Sequence, residues 1–184
     1  MTERPSAEHR ADVRATGLDR DHLVAMGEVA YWSARTERTL ALVVTALVSH
    51  DDDETDEIGH VVTRGVPFTG LLDLGAKLIK LRRFEGQVRD MFTGLSSECR
   101  AAMESRNHLL HGDWTKPGPG PAVASRVTTK RTVDRPFTVE QIEDVAFDLA
   151  VLSNRLFMLF LVAQKMIDYE EWPQSRDEPT TTMS

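Results

Sequence analysis

The sequence predicts an all-α fold, a four- to five-helix bundle with a short β-hairpin-like insertion before the last helix. Two observations lead to this class. Aromatic residues make up only 7% of the 184 residues, and Leu, Ala, Val and Met supply most of the apolar side chains. Apolar residues also recur at helical spacing over long stretches that few turn-forming clusters interrupt. The hydrophobic share of 41% is enough for the core of one ordinary domain.

We expect one helical domain over residues 18–172, flanked by two flexible tails. Residues 1–17 and 173–184 are polar and charged and show no apolar periodicity, which favours loose chain ends. The single cysteine, Cys99, excludes an intramolecular disulfide and favours a reducing compartment.

Two patterns bear on where the protein is located. The N-terminal segment has no continuous apolar core of the kind that a secretory signal needs. The most apolar stretches, residues 40–48 and 156–163, are much shorter than the roughly 20 residues that span a bilayer. We therefore expect a cytoplasmic protein without a membrane segment.

The first helix is predicted over residues 19–49, where apolar side chains return every three to four residues. The stripe consists of Leu23, Met26, Ala30, Ala34, Leu40, Val44 and Leu47. The dense run of acids at 50–60 then predicts a solvated loop, since a calcium loop needs oxygen ligands that alternate around a glycine. A second helix is predicted from residues 67–69 to Arg83.

The middle of the chain predicts a connector, a helix and a break. Gly86 and Gly94 bracket a segment with at most a helical turn or two. A third helix follows over residues 95–111, and Gly112 is expected to take the left-handed position just past its end. Prolines and glycines then exclude helix over residues 116–121.

The last third predicts a hairpin and a long helix. Residues 122–137 are rich in β-branched side chains and arginine, which favours a two-stranded hairpin. Thr138 then opens a helix that ends near Tyr169. Thr138 and Gln141 have the spacing of a capping box, in which each side chain binds the backbone N–H of the other residue. The hydrophobic staple around this box is formed by Phe137 and Ile142.

The formal charge of −7 argues against extensive contact with nucleic acid, because neutralising phosphates needs Lys and Arg. The charge is unevenly distributed, however. Residues 64–135 hold 13 Lys and Arg against 7 Asp and Glu, whereas the rest of the chain holds 9 against 22. The basic excess concentrates at 75–84 and 125–135. A basic surface and an ordinary scatter of solvated charge both remain open.

An arginine lies on the apolar side of the third predicted helix. At about 100° per residue, Arg106 is near the middle of an apolar arc. The arc consists of Cys99, Ala102, Met103, Leu109 and Leu110. A charge in such a place needs a partner or a path to water. One explanation is a salt bridge to an acid on another helix, such as Glu28, Glu37 or Asp148. The other is an anionic ligand, most naturally a phosphate, which arginine binds through two parallel hydrogen bonds.

Arg106, Asn107 and His111 form the pattern R-N-x-x-x-H at the end of this helix, and Asn107 and His111 share a helix face. Together with the His-Gly-Asp-Trp continuation, the turn-rich insertion and the capped last helix, this pattern resembles the signature of the HEPN superfamily, the higher-eukaryote and prokaryote nucleotide-binding domains. The resemblance covers about residues 20–170.

The resemblance implies a helical bundle that forms homodimers, with the two copies of the motif meeting in a cleft. It implies a metal-independent endoribonuclease of the toxin–antitoxin or phage-defence type that needs no cofactor. RNA and an antitoxin-like protein are then the expected partners. Other members of the superfamily do not catalyse a reaction. A helical dimeric module that binds a nucleotide, RNA or protein partner is therefore the alternative.

If the chain is a nuclease, the expected catalytic residues are Arg106, Asn107 and His111. Histidine is suited to proton transfer near neutral pH and would act at the RNA 2′-hydroxyl or the leaving 5′-oxygen. Arg106 would stabilise the charge that develops on the scissile phosphate. Asn107 would orient the imidazole, hydrogen-bond the phosphate, or make a structural hydrogen bond.

Four further residues are weaker candidates for substrate contact: His108, Trp114, Arg35 and Glu28. Trp114 would stack a base or pack in the core. Glu28 and Arg35 lie seven residues apart on the first helix and would face the cleft or form a solvated pair. Glu104, His108 and His111 have metal-ligand spacing but lack a convincing further ligand, so we predict no metal site and expect an exposed His108.

Overall fold

The structure is a computed structural model that describes residues 18–49, 56–84, 86–115, 120–127 and 131–164. Within them the chain forms five helices and one sheet. The helices are α1 (Arg20–Ser49), α2 (Asp56–Thr63), α3 (Phe68–Leu81), α4 (Gln87–His111) and α5 (Val139–Ala163). The strands are β1 (Asp113–Thr115), β2 (Ala122–Val127) and β3 (Thr132–Phe137). The predicted class, mostly helical with a small β insertion before the last helix, is confirmed.

The described residues divide into two compact units. The first unit contains the residues up to Thr36 together with Glu98–Leu152, and the second contains Glu37–Ser97 together with the residues from Ser153 onward. The motif and the whole sheet belong to the first unit. The predicted tails, residues 1–17 and 173–184, lie outside the described residues, and the single domain over 18–172 stays a prediction.

In the first unit, α1 and α5 are joined by a buried hydrogen bond. The Thr36 hydroxyl oxygen lies 2.8 Å from the Trp32 carbonyl and 3.1 Å from the Leu149 carbonyl, and Thr36 is fully buried. The first unit also contains seven apolar residues whose exposed fraction is 0%. They are Val29, Cys99, Leu109, Ala122, Ala124, Ile142 and Leu149.

In the second unit, α3 and α4 meet through a glycine. A Cβ at Gly75 would overlap the ring of Phe92, which is only 2% exposed. This contact explains why α4 begins at Gln87 and runs through Gly94, where the sequence predicted a connector. Burial of Phe92 and Leu95 outweighs the cost of a helix-interior glycine, about 1 kcal/mol.

The sequence also missed α2, because the acidic run at 50–60 was predicted to be one loop. Residues 56–63 are helical, and a Cβ at Gly59 would lie 2.7 Å from Thr45 Cγ2. The hydroxyl oxygens of Thr45 and Thr63 are 3.4 Å apart. A glycine and two threonines thus dock a helix that is too short for its periodicity to be recognised.

The two-stranded hairpin predicted over residues 122–137 is confirmed as β2 and β3, which pair antiparallel. The sequence analysis missed β1, which makes the insertion a three-stranded sheet in the order β1-β2-β3. β1 follows Gly112, just past the end of α4, the motif helix that carries Arg106, Asn107 and His111. It pairs Asp113 with Ser125 and Trp114 with Ala124. A strand of three residues has too little periodicity to be predicted from sequence.

The predicted start of α5 is confirmed. The backbone N–H of Thr138 donates to Gln141 Oε1 at 3.0 Å, and the backbone N–H of Gln141 donates to Thr138 Oγ1 at 3.3 Å. Both staple residues, Phe137 and Ile142, are buried. The described helix ends at Ala163, and Tyr169 lies outside the described residues.

Among the described helices, α5 alone is long and apolar enough to cross a membrane by length and composition. About a third of its most apolar window (33%) is buried within the protein. The core helix of a soluble protein meets the same criteria. The cytoplasmic location therefore stays a prediction.

Candidate functional site

The three predicted catalytic residues lie together at the C-terminal end of α4. Arg106 Nη1 donates a hydrogen bond to Asn107 Oδ1 at 2.9 Å and lies 3.2 Å from His111 Nε2. His111 is exposed, whereas Arg106 and Asn107 are half-buried. The arginine on the apolar side of the helix therefore has two hydrogen-bond partners within its own motif.

The guanidinium of Arg106 determines which atoms of its two partners accept hydrogen bonds. A guanidinium donates hydrogen bonds and accepts none. His111 Nε2 must therefore accept through its lone pair, which places the proton of the neutral ring on Nδ1. The amide oxygen of Asn107 faces the arginine for the same reason, and the amide nitrogen is left to donate elsewhere. The arrangement is thus a cation held by two acceptors, one of which is a proton-transferring ring.

A helix C-terminus carries roughly half a negative charge, and α4 ends with His108 and His111 in its last turn. Cationic side chains are favoured at this end by about 0.3–1 kcal/mol, and anions are disfavoured. A phosphate bound here would therefore depend on side-chain cations, since the backbone of the helix end opposes it.

Gly112 does not adopt the predicted left-handed conformation. In the described part of the chain, the glycines with positive φ are Gly65, Gly86 and Gly120. At Gly112 the absence of a side chain is required by close packing instead. A Cβ there would lie 2.6 Å from the His108 carbonyl oxygen and 3.2 Å from Ala124 Cβ. The glycine lets the end of α4 lie directly against β2.

Trp114 caps the C-terminal end of α4 with a hydrogen bond. Its indole Nε1 donates to the Leu109 carbonyl at 2.9 Å, and its ring centroid lies 6.0 Å from that of Phe137. The last four carbonyls of a helix have no partner within the helix, and the indole satisfies one of them. The structure thus gives Trp114 a structural contact, and base stacking stays a prediction.

His108 is buried, with only 5% of its surface exposed, where the sequence predicted an exposed side chain. Periodicity assumes one buried face, but the last turns of α4 bury His108 and Leu109, which lie about 100° apart around the helix. Both ring nitrogens of His108 are buried and have no hydrogen-bond partner in the described part of the chain. In this structure they are therefore closed to a substrate.

Glu28 and Arg35 lie on α1, and both are exposed. The guanidinium carbon of Arg35 is 5.6 Å from the centroid of the Trp32 ring, within the range of a cation–π contact. Tyr31 packs edge-on against Trp32, with ring centroids 5.1 Å apart. Arg35 thus packs against an aromatic side chain of its own helix. A role of Glu28 or Arg35 in substrate binding stays a prediction.

A metal site was not predicted, and the described residues contain no group of three His, Cys, Asp or Glu side chains placed to hold an ion. Of the residues with metal-ligand spacing on α4, Glu104 is exposed to solvent, whereas His108 is buried.

The sheet that follows α4 carries two arginines that were not predicted as site residues. Arg126 on β2 is half-buried, and Arg135 on β3 is exposed. The basic excess at 125–135 was visible in the sequence. Which of its side chains face the motif depends on strand register, which composition does not contain.

No family model, curated protein or solved structure matches the chain. The resemblance to the HEPN superfamily therefore rests on Arg106, Asn107 and His111 at the end of a helix, together with the His-Gly-Asp-Trp continuation, the turn-rich insertion and the capped last helix. The function proposed below is argued from the geometry of these side chains.

Proposed function

We propose that this chain is a HEPN-type, metal-independent endoribonuclease, in which a 2′-hydroxyl of RNA attacks the neighbouring phosphate. The supporting observation is the 3.2 Å contact between Arg106 Nη1 and His111 Nε2, with Asn107 Oδ1 at 2.9 Å from the same nitrogen. A phosphate bound beside this contact would lie within reach of the two groups that the reaction needs. One is a cation for the developing charge and the other is a ring that transfers protons.

Phosphate binding would open the Arg106–His111 contact. Arginine binds a phosphate through two parallel hydrogen bonds, which are stronger than one bond to a neutral ring. As Arg106 turns to the phosphate, the lone pair of His111 Nε2 is released and becomes the base. It takes the proton of the 2′-hydroxyl while the O2′–P bond forms and the P–O5′ bond breaks. The products are a 2′,3′-cyclic phosphate and a 5′-hydroxyl, once the leaving oxygen has gained a proton.

The proton for the leaving oxygen has a natural source if the chain forms the homodimer that the resemblance implies. With two motifs facing one cleft, the imidazole of the second copy lies on the other side of the phosphate. Three exposed apolar residues of α1 offer surface for a second copy to bury, namely Leu23 at 49% exposure, Val24 at 55% and Tyr31 at 59%. We also propose a cytoplasmic location and an antitoxin-like protein partner, both on the resemblance alone.

The alternative is a helical module that binds a nucleotide, RNA or protein without cleaving it. Two observations favour it: the net charge is −7, and Nη1 of Arg106 already contacts acceptors on both Asn107 and His111. A binding module needs Arg106 but has no requirement for proton transfer. The two functions therefore differ in what the loss of His111 does.

The proposal is tested by cleavage of mixed single-stranded RNA and transfer RNA in EDTA. The native protein is compared with Arg106→Ala and His111→Ala, and with His60→Ala as a control at an exposed histidine of α2. Proton transfer by a positioned group contributes about 10²- to 10⁴-fold in rate. We expect His111→Ala to lose that factor while His60→Ala keeps the native rate.

Circular dichroism and gel filtration establish that each variant stays folded. If Arg106→Ala unfolds, Arg106→Lys retains the charge without the planar fork and should still cleave more slowly than the native protein. Native-like cleavage by His111→Ala would refute the nuclease proposal. Absence of cleavage by the native protein would favour the binding module.

A further inference from the structure

We infer that the sheet extends the proposed nuclease site with a phosphate-binding surface, made by Arg126 and Arg135, that holds single-stranded RNA beside the scissile phosphate. This inference takes the identity of its ligand from the proposed function. Its geometry rests on the strand register and on the contact between Gly112 and β2.

The motif helix ends against the middle of β2. Gly112 follows His111 directly, and a Cβ on Gly112 would lie 3.2 Å from Ala124 Cβ and 3.5 Å from the Ser125 carbonyl oxygen. The side chain of Ala124 therefore points toward the end of α4. Counting back along β1 from the pair of Asp113 and Ser125 brings Gly112 level with Arg126.

The register places both arginines on the same face of the sheet as Ala124. Residues two apart on a strand point to the same side, so Arg126 follows Ala124 on the face that meets the helix end. Ala124 is paired with Trp114 on one side and with Arg135 on the other. With neighbouring strands about 4.8 Å apart, this row spans about 10 Å from the tryptophan that holds the helix to the arginine.

The acidic residues of the sheet lie on the opposite face. Asp113, Ser125 and Asp134 form a row across the three strands, one residue out of step with the row of Ala124. Because alternate residues point to opposite sides, the two aspartates point away from the arginines. In the described part of the chain, neither arginine side chain makes an ion pair. The sheet thus separates its charges and presents the positive side to the motif.

The two arginines would add positive charge beside a motif whose surroundings are negatively charged. The end of α4 carries partial negative charge and the protein a net charge of −7, so an RNA strand gains little from the surroundings of the motif. Arg106 supplies one cation and is engaged with Asn107 and His111. Two further arginines beside the helix end provide contacts to phosphates that are not cleaved, which hold the strand in place without taking part in the reaction.

Binding of a 20-nucleotide single-stranded RNA of mixed sequence, measured by fluorescence anisotropy from 50 to 200 mM salt, tests the inference. All proteins carry His111→Ala, so cleavage cannot interfere. For single-stranded nucleic acid, each neutralised phosphate contributes about 0.7 to the slope of log affinity against log salt. We expect Arg126→Gln with Arg135→Gln to lower the slope by about 1.4, which is about sevenfold in affinity over this salt range.

Arg89→Gln is the control, since it removes one positive charge from an exposed arginine in the first turn of α4, where Arg89 Nε lies 2.9 Å from Asp90 Oδ1. Its slope should equal that of the parent. Arg126→Lys with Arg135→Lys should keep the slope, because the charge is retained. In a separate cleavage assay with proteins that retain His111, Arg126→Gln with Arg135→Gln should raise KM and leave kcat unchanged.

The outcomes separate this inference from the proposed function. An unchanged slope in the Arg126→Gln, Arg135→Gln variant overturns the surface, even if the native protein cleaves RNA. A lowered slope supports the surface even if no RNA is cleaved, in which case the nuclease proposal fails alone. No measurable binding of the RNA by the parent protein overturns the surface as well.

Discussion

The end of α4 and the start of α5 are two helix termini of the same unit, held in opposite ways. The start of α5 is closed by Thr138 and Gln141, which are neighbours in the sequence. The end of α4 is closed by residues of the sheet: Trp114 binds the Leu109 carbonyl, and Ala124 lies against Gly112. One terminus is locally determined, and the other depends on the fold of the insertion.

This difference matters because the motif lies at the terminus that the sheet holds. His111 is the last residue of α4, so any change that moves the sheet also moves the imidazole. A locally capped helix end would leave the site independent of the insertion. We therefore expect substitutions at the end of α4 to affect both stability and the site, and substitutions at the start of α5 to affect stability alone.

The largest effect is expected from Gly112→Ala. The added Cβ would lie 2.6 Å from a backbone oxygen, which cannot move without shifting the helix end, and overpacking of this kind costs about 1–3 kcal/mol. Gly94→Ala is the control on the same helix. Its Cβ meets nothing within 4 Å, so the helix should gain about 1 kcal/mol. Urea unfolding measures both, and equal stabilisation by the two substitutions would contradict the close packing at Gly112.

Trp114→Phe should cost somewhat less. It removes the N–H that the Leu109 carbonyl accepts, and an unsatisfied buried group costs about 1–3 kcal/mol, with the low end expected at this half-buried position. Trp32→Phe is the control, because the Trp32 indole makes no hydrogen bond within the described residues. A loss of stability at both positions by the same amount would show that ring size, rather than the hydrogen bond, is what matters.

Thr138→Ala should cost about 1 kcal/mol, the usual effect of removing an N-cap side chain. Thr138→Ser retains the hydroxyl and should keep most of the stability. Because the start of α5 is capped locally, neither substitution should alter the environment of His111. A shift in the His111 imidazole resonances in the NMR spectrum of Thr138→Ala would show that the start of α5 is coupled to the motif after all.

The smallest effect concerns pH and Glu140. The hydrogen bond from its own backbone N–H, followed by the hydrogen bond with Thr138, lowers the pKa of the Glu140 carboxyl from its ordinary value of 4.5. A carboxyl with a lower pKa in the folded protein stabilises it above that ordinary value, and the contribution is lost as the pH falls through the folded pKa. In an NMR titration, Thr138→Ala should move the pKa of Glu140 upward. An unchanged titration would exclude the contribution of the threonine.

Features set by neighbouring residues were predictable from the sequence. The extent of α1 was predictable from the spacing of its apolar residues, and Leu40, Val44 and Leu47 of the predicted stripe are buried. The first half of that stripe was wrong, because Leu23, Ala30 and Ala34 are exposed. The bounds of α3 and the capping box of Thr138 and Gln141 were also predictable. The proximity of Arg106 and His111 was also predictable, because long side chains five positions apart at a helix end can reach a common point although their backbones diverge by about 140°.

Features set by distant residues were missed. Gly94 was predicted to break the chain because nothing in the sequence shows that Phe92 packs on Gly75. Gly112 was assigned the commonest conformation of a glycine after a helix, whereas the approach of β2 decides its role. The burial of His108 and the facing of Arg126 and Arg135 likewise depend on how the sheet folds onto the helix end.

If the Arg106–His111 pair promotes attack by the 2′-hydroxyl of RNA, cleavage must require that hydroxyl. One RNA strand is therefore compared with the same strand carrying 2′-deoxy sugars throughout. Both are incubated with the native protein in EDTA, and the product ends are identified by mass spectrometry. We expect the RNA to yield fragments ending in 2′,3′-cyclic phosphate while the deoxy strand stays intact. Cleavage of the deoxy strand, RNA fragments that never pass through a cyclic phosphate, or an uncut RNA would contradict it.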